Sequence, residues 1–306
     1  MAMNRRDFLK LAGISLVFVS GLDNLAAAAE KTAGAMKAAG QTAAGDFFFV
    51  QMSDTHWGFN DPKVNPDFAG TLKKAVGLVN CLAMQPDFIV FTGDLTHTTD
   101  DDKERRKRLA EFKHIVKDLK VKNVKFLPGE HDASLDNGKA FMEVFGKTHY
   151  TFNHKGVNFI VLDNVSDPGG SIGEQQLQWL GDSLKKLDKE KAQIVVLTHR
   201  PLFDLYPQWE WVTRDGAQAI ELLMPYKNVT VFYGHIHQEH HHMTGQIAHH
   251  AAHGLMYPLP VAGSQPKRAP VPWDPAKPYN NLGCRRVETK APPAQLEITE
   301  YPIQQA

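Results

Sequence analysis

The sequence predicts an α/β protein, and three observations carry that reading. Five short apolar runs, at 47–52, 88–92, 124–127, 193–198 and 229–233, are nearly continuous in hydrophobicity, as strands buried on both faces are. The segments 72–84, 109–119 and 177–187 place apolar residues three and four apart, the period of a helix with one buried face. Strand and helix alternate over about 260 residues with no internal repeat or second domain boundary, which puts helices outside a sheet core.

Each strand run delivers a polar residue at its carboxyl end. The first leads into Ser53-Asp54-Thr55-His56, the second into Gly93-Asp94, and the third into Pro128-Gly129-Glu130-His131-Asp132. The fourth ends at His199-Arg200 and the fifth at Gly234-His235-Ile236-His237. Ligands of open α/β sheets bind beyond the carboxyl ends of the strands, and the glycines let the chain turn there. A single Asp-x-His arises by chance; five such endings in succession do not. Asp100-Asp101-Asp102 stands ahead of the second helical segment, where carboxylates favour the positive end of a helix dipole.

Composition narrows the partners. The 306 residues hold 34 Lys+Arg against 34 Asp+Glu, so nothing in the charge calls for a nucleic acid polymer or an anionic membrane surface. Cys81 and Cys284 are too few for a disulfide framework or a zinc ribbon. Cys81 falls in an apolar helical pattern and reads as a small buried hydrophobe. Of 15 histidines, eight fall between His235 and His253.

Residues 1–29 read as an export signal. Arg5-Arg6 precede Phe8-Leu9-Lys10, a mildly apolar run over 9–22 and a small-residue stretch at 25–29, the order of a secretory signal. The paired arginines resemble the twin-arginine type, which implies the twin-arginine export machinery as a partner and a periplasmic or otherwise exported protein. The apolar run is below the ~18 residues that read as spanning, so no membrane association is expected after its removal. Residues 30–45 read as a flexible Ala/Gly/Lys/Thr spacer, and 46–306 as the functional domain.

Carboxylate oxygens with imidazole nitrogens form the ligand set of metals such as Mn, Fe, Zn and Co. Asp54, His56, Asp94, Glu130, His199, His235 and His237 are too many for one ion with an open position. Two ions sharing a bridging carboxylate would use them all, and such a pair clamps the attacking and leaving oxygens of a phosphoryl displacement. His131 stands beside a ligand and is free to protonate a leaving alkoxide, since its ordinary pKa of ~6.5 lies near working pH.

These segments resemble the five motifs of the calcineurin-like metallophosphoesterases, in order and spacing across 47–242. Residues 173–184 resemble a helix of the cyclic-nucleotide-phosphodiesterase-like branch. The resemblance implies a four-layer α/β/β/α sandwich with a binuclear centre at the strand ends. It implies one metal on Asp54, His56, Asp94 and His237, a second on Asp94, Glu130, His199 and His235, and His131 as general acid or as the group that steadies the transition-state phosphoryl. The activity implied is hydrolysis of a small phosphate ester by hydroxide bridging two divalent or trivalent ions. One position departs: the family's third motif reads Gly-Asn-His-Asp or Gly-Asn-His-Glu, and Glu130 stands at the Asn. A third carboxylate repels a doubly charged monoester more than a singly charged diester, so a diester is expected. A catalytically degenerate metal-binding or assembly protein and a phosphoprotein phosphatase are the competing classes.

Arg200 is a candidate substrate contact, as a planar fork on a phosphate oxygen. His97 and Thr96, just beyond Asp94, are candidates either for outer partners of the ligands or for phosphate contacts, with a solvated loop position the alternative for His97. Tyr206, Trp209 and Trp211 are expected to pack on a sheet edge or wall a pocket. Asp132 is expected to hold the loop after Gly129 rather than a metal. His240-His241-His242 and His249, His250 and His253 are expected to be solvated or packed, because alternate residues of a strand point to opposite faces. From about residue 257 onward, closely spaced prolines predict an extended segment draped over the domain, with one last edge strand at 296–301.

Overall fold

The apolar runs form the strands of two sheets in the computed structural model, which describes residues 46–290 and 295–303. The expected export signal at 1–29 and spacer at 30–45 lie outside the described residues. In the first sheet, β1 (Phe47–Met52), β2 (Phe88–Thr92) and β3 (Val124–Leu127) run parallel. The C-terminal strands β10 (Gly283–Lys290) and β11 (Gln295–Pro302) extend it antiparallel from β1, in the order β11-β10-β1-β2-β3. The second sheet takes β4 (Tyr150–His154), β5 (Val157–Val161), β6 (Gln193–Leu197), β7 (Asn228–Tyr233), β8 (His240–Thr244) and β9 (Ile247–Ala251). Its order is β4-β5-β6-β7-β9-β8, parallel from β5 through β9 and closed at each edge by an antiparallel hairpin.

The sheets face each other through aromatic side chains. Phe49 stacks on Phe88 at 5.0 Å between ring centroids and meets Phe159 and Phe232 edge-on at 5.7 and 5.8 Å. All four are fully buried, and truncating such a phenylalanine to alanine costs about 3–5 kcal/mol. On the outer face of the second sheet, α5 (Glu174–Leu184) and α6 (Gly216–Leu223) pack Leu177, Leu180, Ala219 and Leu223 against Ile160, Ile194 and Val196. On the first, α1 (Thr71–Asn80) and α2 (Asp102–Val116) do the same, with Phe112 edge-on to Phe91 at 5.2 Å. Helix, sheet, sheet and helix make the four layers expected. The short helices α3 (Glu130–Ala133) and α4 (Lys139–Phe145) follow β3. Among the described residues no helix is long and apolar enough to cross a membrane.

Boundaries moved where local capping outweighed apolar spacing. The expected helix at 109–119 begins at Asp102, because the Asp101 carboxylate caps it by accepting the Lys103 and Glu104 N–H groups at 2.9 and 3.1 Å. The expected helix at 72–84 ends at Asn80, with Cys81 as its cap. Cys81 is therefore exposed, not buried, and neither it nor buried Cys284 forms a disulfide. The two hairpins and β10 carry too much His, Asn or Arg to read as apolar runs. The last strand was expected and lies at the sheet edge, as β11. Residues 252–282 form neither helix nor strand and lie over the loop at 59–68: Trp273 N–H donates to Lys63 O at 3.0 Å, and Tyr279 O–H to Asp67 Oδ2 at 2.8 Å.

Candidate metal centre

All seven predicted ligands converge at the carboxyl ends of the strands, in two groups that share Asp94. Asp54, His56, Asp94 and His237 form one; Asp94, Glu130, His199 and His235 form the other; in each, one potential ligand atom per residue lies within 4.8 Å of the rest. In the first, His237 Nε2 lies 3.2 Å from Asp54 Oδ1 and 3.1 Å from His56 Nε2, which is 3.6 Å from Asp94 Oδ2. In the second, His199 Nε2 lies 2.9 Å from Glu130 Oε2 and 3.4 Å from Asp94 Oδ2, and His235 Nδ1 lies 2.9 Å from Glu130 Oε1.

The backbone is strained where these residues sit. Asp54, His56, Asp94, His235 and His237 have φ of 54°, 41°, 48°, 66° and 53°, left-handed conformations that cost side chains of this kind on the order of 1–3 kcal/mol each and cluster at functional sites. The glycines were expected to let the chain turn, and of Gly93, Gly129 and Gly234 only Gly93 (φ 95°) does so in the left-handed region. Gly129 and Gly234 serve another need, close approach: a Cβ on Gly129 would lie 2.0 Å from Asp94 Oδ1, and one on Gly234 would lie 2.0 Å from Ser53 Oγ.

Outward hydrogen bonds fix which nitrogen of each ring faces in. His199 Nδ1–H donates to Thr92 O at 2.7 Å, His237 Nδ1–H to Tyr257 O at 2.6 Å, and His235 Nε2–H to Glu210 O at 3.1 Å. A carbonyl only accepts, so in each neutral ring the inward nitrogen carries a lone pair. Lone pairs then face carboxylate oxygens at about hydrogen-bond distance with nothing between. Glu130 Oε2, His199 Nε2 and His235 Nδ1 are all buried without a hydrogen-bond partner, an arrangement that costs free energy unless a cation fills it. Burial pushes the His199 pKa down, yet Asp94 and Glu130 override it and raise it well above its ordinary value, so they draw positive charge, a proton or a metal ion, onto the inward Nε2. The donor set, its orientation and its orphaned atoms therefore fit two cations, and outer partners of this kind are what orient metal-binding imidazoles.

His56 differs. Its inward Nε2 leaves Nδ1 facing not a carbonyl but His97 Nδ1, at 3.5 Å. His97, expected to be either an outer partner of a ligand or a phosphate contact, stacks on His131 (5.1 Å, 27°) and meets Phe59 edge-on. Burial brings its pKa down to about 4. Thr96 is also turned inward, its N–H and hydroxyl both donating to Asp132 Oδ1. Asp132 accepts Leu95 and Gly129 N–H as well, at 2.9 and 3.0 Å, and so ties the β2 loop to the β3 loop. Burial and Asp94 push its carboxyl up to about 6 against those donors.

His131 is half-buried at the edge of both groups. Its N–H donates to Asp94 Oδ1 at 3.0 Å, its Nδ1 accepts the Thr98 N–H at 3.1 Å, and its Nε2 lies 3.9 Å from Asp94 Oδ2. With Nδ1 occupied as acceptor, the neutral ring carries its proton on Nε2, which faces the centre. Arg200 is buried and brings Nε to 3.5 Å from Glu130 Oε2. Trp209 and Trp211 are buried in a cluster with Tyr233, Ile236 and Met256, which makes them packing residues; Tyr206 lies half-buried against it. Tyr257 had no signal in the sequence beyond its proline-rich surroundings. Its ring stacks on His56 and His237 at 5.0 and 4.7 Å, its hydroxyl lies 3.4 Å from His56 Nε2, and burial pushes its pKa up.

Residues 49–239 match the calcineurin-like phosphoesterases. The chain belongs to this family. It is 26% identical over 180 residues to the Serine/threonine-protein phosphatase CPPED1 of Mus musculus, covering 52% of this chain and 57% of that protein. It is 27% identical over 203 residues to a probable cyclic nucleotide phosphodiesterase of Rhodococcus erythropolis, covering 62% of this chain and 64% of that one. The chain thus spans little more than half the length of the mouse relative. Among solved structures, a dimetal phosphatase from Danio rerio shares the fold with a TM-score of 0.55 at 14% identity, over 85% of this chain and 99% of that one. GAP50, described as the anchor in the inner membrane complex of Plasmodium, shares it with a TM-score of 0.53 at 14% identity, over 85% and 90%.

Proposed function

We propose that this protein is an exported phosphoesterase that uses two metal ions to hydrolyse a small phosphate ester, with a diester favoured. The observation that carries the reading is the pair of four-residue groups sharing Asp94, each with its lone pairs turned inward. Asp54, His56, Asp94 and His237 would hold one ion; Asp94, Glu130, His199 and His235 would hold the other. When bound, such a pair supplies Lewis-acid neutralisation of phosphoryl charge and acidifies a water molecule toward neutral pH.

The chain's own residues do the rest. Asp94 fixes the spacing of the two groups, and its Oδ1 fixes His131 through the backbone. The Thr98 N–H on Nδ1 keeps the neutral His131 ring with its N–H on Nε2, where it donates a hydrogen bond to the phosphoryl or departing oxygen. The imidazolium, protonated on both nitrogens, is the form that passes a proton to the alkoxide. Arg200 offers the phosphoryl oxygens a guanidinium whose one ion pair among the described residues is with Glu130. That contact also offsets part of the charge Glu130 adds, so the diester preference is a matter of a few-fold.

The test is a purified sample reconstituted with Mn, Fe, Zn or Co and given bis(4-nitrophenyl) phosphate. Turnover is expected, and His131→Ala should lower it by about 10²–10⁴-fold with metal content unchanged, the usual range for a general acid. No turnover with any of the four metals, in protein that holds two ions, would favour the assembly reading. Glu130→Asn should keep both ions and raise 4-nitrophenyl phosphate hydrolysis relative to the diester; an unchanged or lower ratio would remove the charge argument. The CPPED1 matches favour a phosphoprotein as second reading, which a phosphopeptide assay separates. Export is supported by Arg5-Arg6 and the apolar run behind them; a Lys-Lys pair in their place should leave the precursor in the cytoplasm, and unchanged secretion would count against this route.

A further inference from the structure

The second group of ligands has a cation at its outer side that the proposed chemistry does not use. Arg268 comes from the irregular segment at 252–282, far in sequence from every ligand motif. Its Nη1–H donates to Trp209 O at 3.2 Å and lies 3.5 Å from His235 Nε2, the nitrogen turned away from Glu130. Its Nη2 comes no closer than 3.7 Å to Glu210 Oε2, and the Glu210 side chain is 67% exposed while that of Arg268 is 29% exposed. One edge of the guanidinium is thus fastened to backbone, and Nε and Nη2 have no hydrogen-bond partner within 3.5 Å among the described residues.

The position is built, not incidental. Glu210 has φ 60°, a strained conformation for a side chain of its size. The turn it closes aims two successive carbonyls at functional groups, Trp209 O at Arg268 and Glu210 O at the His235 ring. The guanidinium is therefore held against the outer nitrogen of His235, one imidazole ring from the edge that faces Glu130. It is a planar fork with free donors, the group best matched to a carboxylate or a phosphate oxygen. With Arg200, whose Nε lies 3.5 Å from Glu130 Oε2, it places a second guanidinium beside the second group of ligands.

We propose that Arg268 is a specificity residue that binds a second anionic group, so the natural substrate is a phosphate ester whose organic part itself carries a carboxylate or a further phosphate. This rests on the phosphoesterase reading above and goes beyond it by naming the substrate class. Glu210 is the competitor: its flexible carboxylate occupies the fork loosely and gives way to a bound anion.

The test uses metal-loaded protein and unreactive alkylphosphonates, with binding followed by calorimetry. A carboxyalkylphosphonate with a chain of two to four methylenes should bind about 10-fold tighter than the alkylphosphonate of equal length, as expected of a half-exposed charged hydrogen bond. An aminoalkylphosphonate should bind no tighter than the alkyl compound. Arg268→Gln keeps a donor for Trp209 O; it should bring the carboxylate preference below about 2-fold while leaving metal content and alkylphosphonate affinity unchanged. Glu210→Gln should enlarge the preference. A phosphate in place of the distal carboxylate distinguishes the two sources of the anion by which is bound more tightly at each chain length. Equal affinity for carboxylated and plain compounds, or a preference that survives Arg268→Gln, would overturn the proposal. Failure of every phosphonate to bind, with no hydrolysis of aryl phosphates, would instead overturn the reading on which it rests.

Discussion

Two stretches of this chain are rich in imidazole and behave differently. His235 and His237 lie at the end of β7 in left-handed backbone, point a lone pair at a carboxylate, and tie their outer nitrogen to a carbonyl. A few residues on, His240, His241, His242, His249 and His250 lie in the β8–β9 hairpin, with His253 just beyond it. There His241 and His250 face each other across the strands, Nδ1 to Nδ1 at 2.6 Å, and His242 stacks on Phe203 at 3.9 Å. No three of these come together with a carboxylate as the ligands of the centre do. What separates the regions is backbone conformation at a strand end, which lets successive side chains converge; in an extended strand they alternate and diverge.

The sharpest way to break this comparison is to remove the carboxylate the two groups share. Asp94→Asn should abolish retention of two ions and lower turnover by at least ~10³-fold, since several kcal/mol of charge stabilisation go with the centre. Elemental analysis and hydrolysis rates check it. Removing imidazoles of the hairpin should do neither.

A smaller effect tests His56, the one imidazole of the two groups that lacks a carbonyl partner among the described residues. His97→Leu removes the acceptor for His56 Nδ1–H and should weaken one of the two metal-binding steps by about 10–100-fold, the usual effect of losing an outer partner. Titration with metal ions reads the two steps separately. If both steps or neither weaken, His97 does not act through His56.

The smallest effect falls in the hairpin and concerns stability, not activity. His249 is fully buried with both ring nitrogens unpartnered, and burial brings its pKa down to about 4. Its native pKa lies below the unfolded value of ~6.5, so the unfolded chain takes up the proton first. Stability is intact above pH 6.5 and falls as pH drops toward 4; His250 and His253, lowered to about 3 and about 4, act in the same window. His249→Leu should recover on the order of 2 kcal/mol at pH 5 relative to pH 7, read from urea midpoints of variant and wild type. A recovery equal at both pH values would show that cavity filling, not protonation, is at work.

Much of the centre was legible because its residues sit where strands end, and strand ends are marked by a change from apolar to polar. Asp54, Asp94, Glu130, His199 and His235 needed only that rule. The outer partners were not legible. Thr92 O, Tyr257 O and Glu210 O are backbone groups, and any residue type supplies them. Tyr257 and Arg268 come from an irregular segment with no period to read. His97 was read as either an outer partner or a phosphate contact, because its place beyond Asp94 says nothing of which way the ring turns.

The amino-acid order alone determined the parallel strands, the layered α/β architecture and the inventory of oxygen and nitrogen donors, because hydrophobic period and strand-end chemistry are local properties. Only the folded chain decided which lone pairs face one another, which nitrogen of each ring is free, and that Arg268 closes over His235. Those depend on distances between segments up to about 200 residues apart in sequence, set by packing of the two sheets, and no local pattern encodes them.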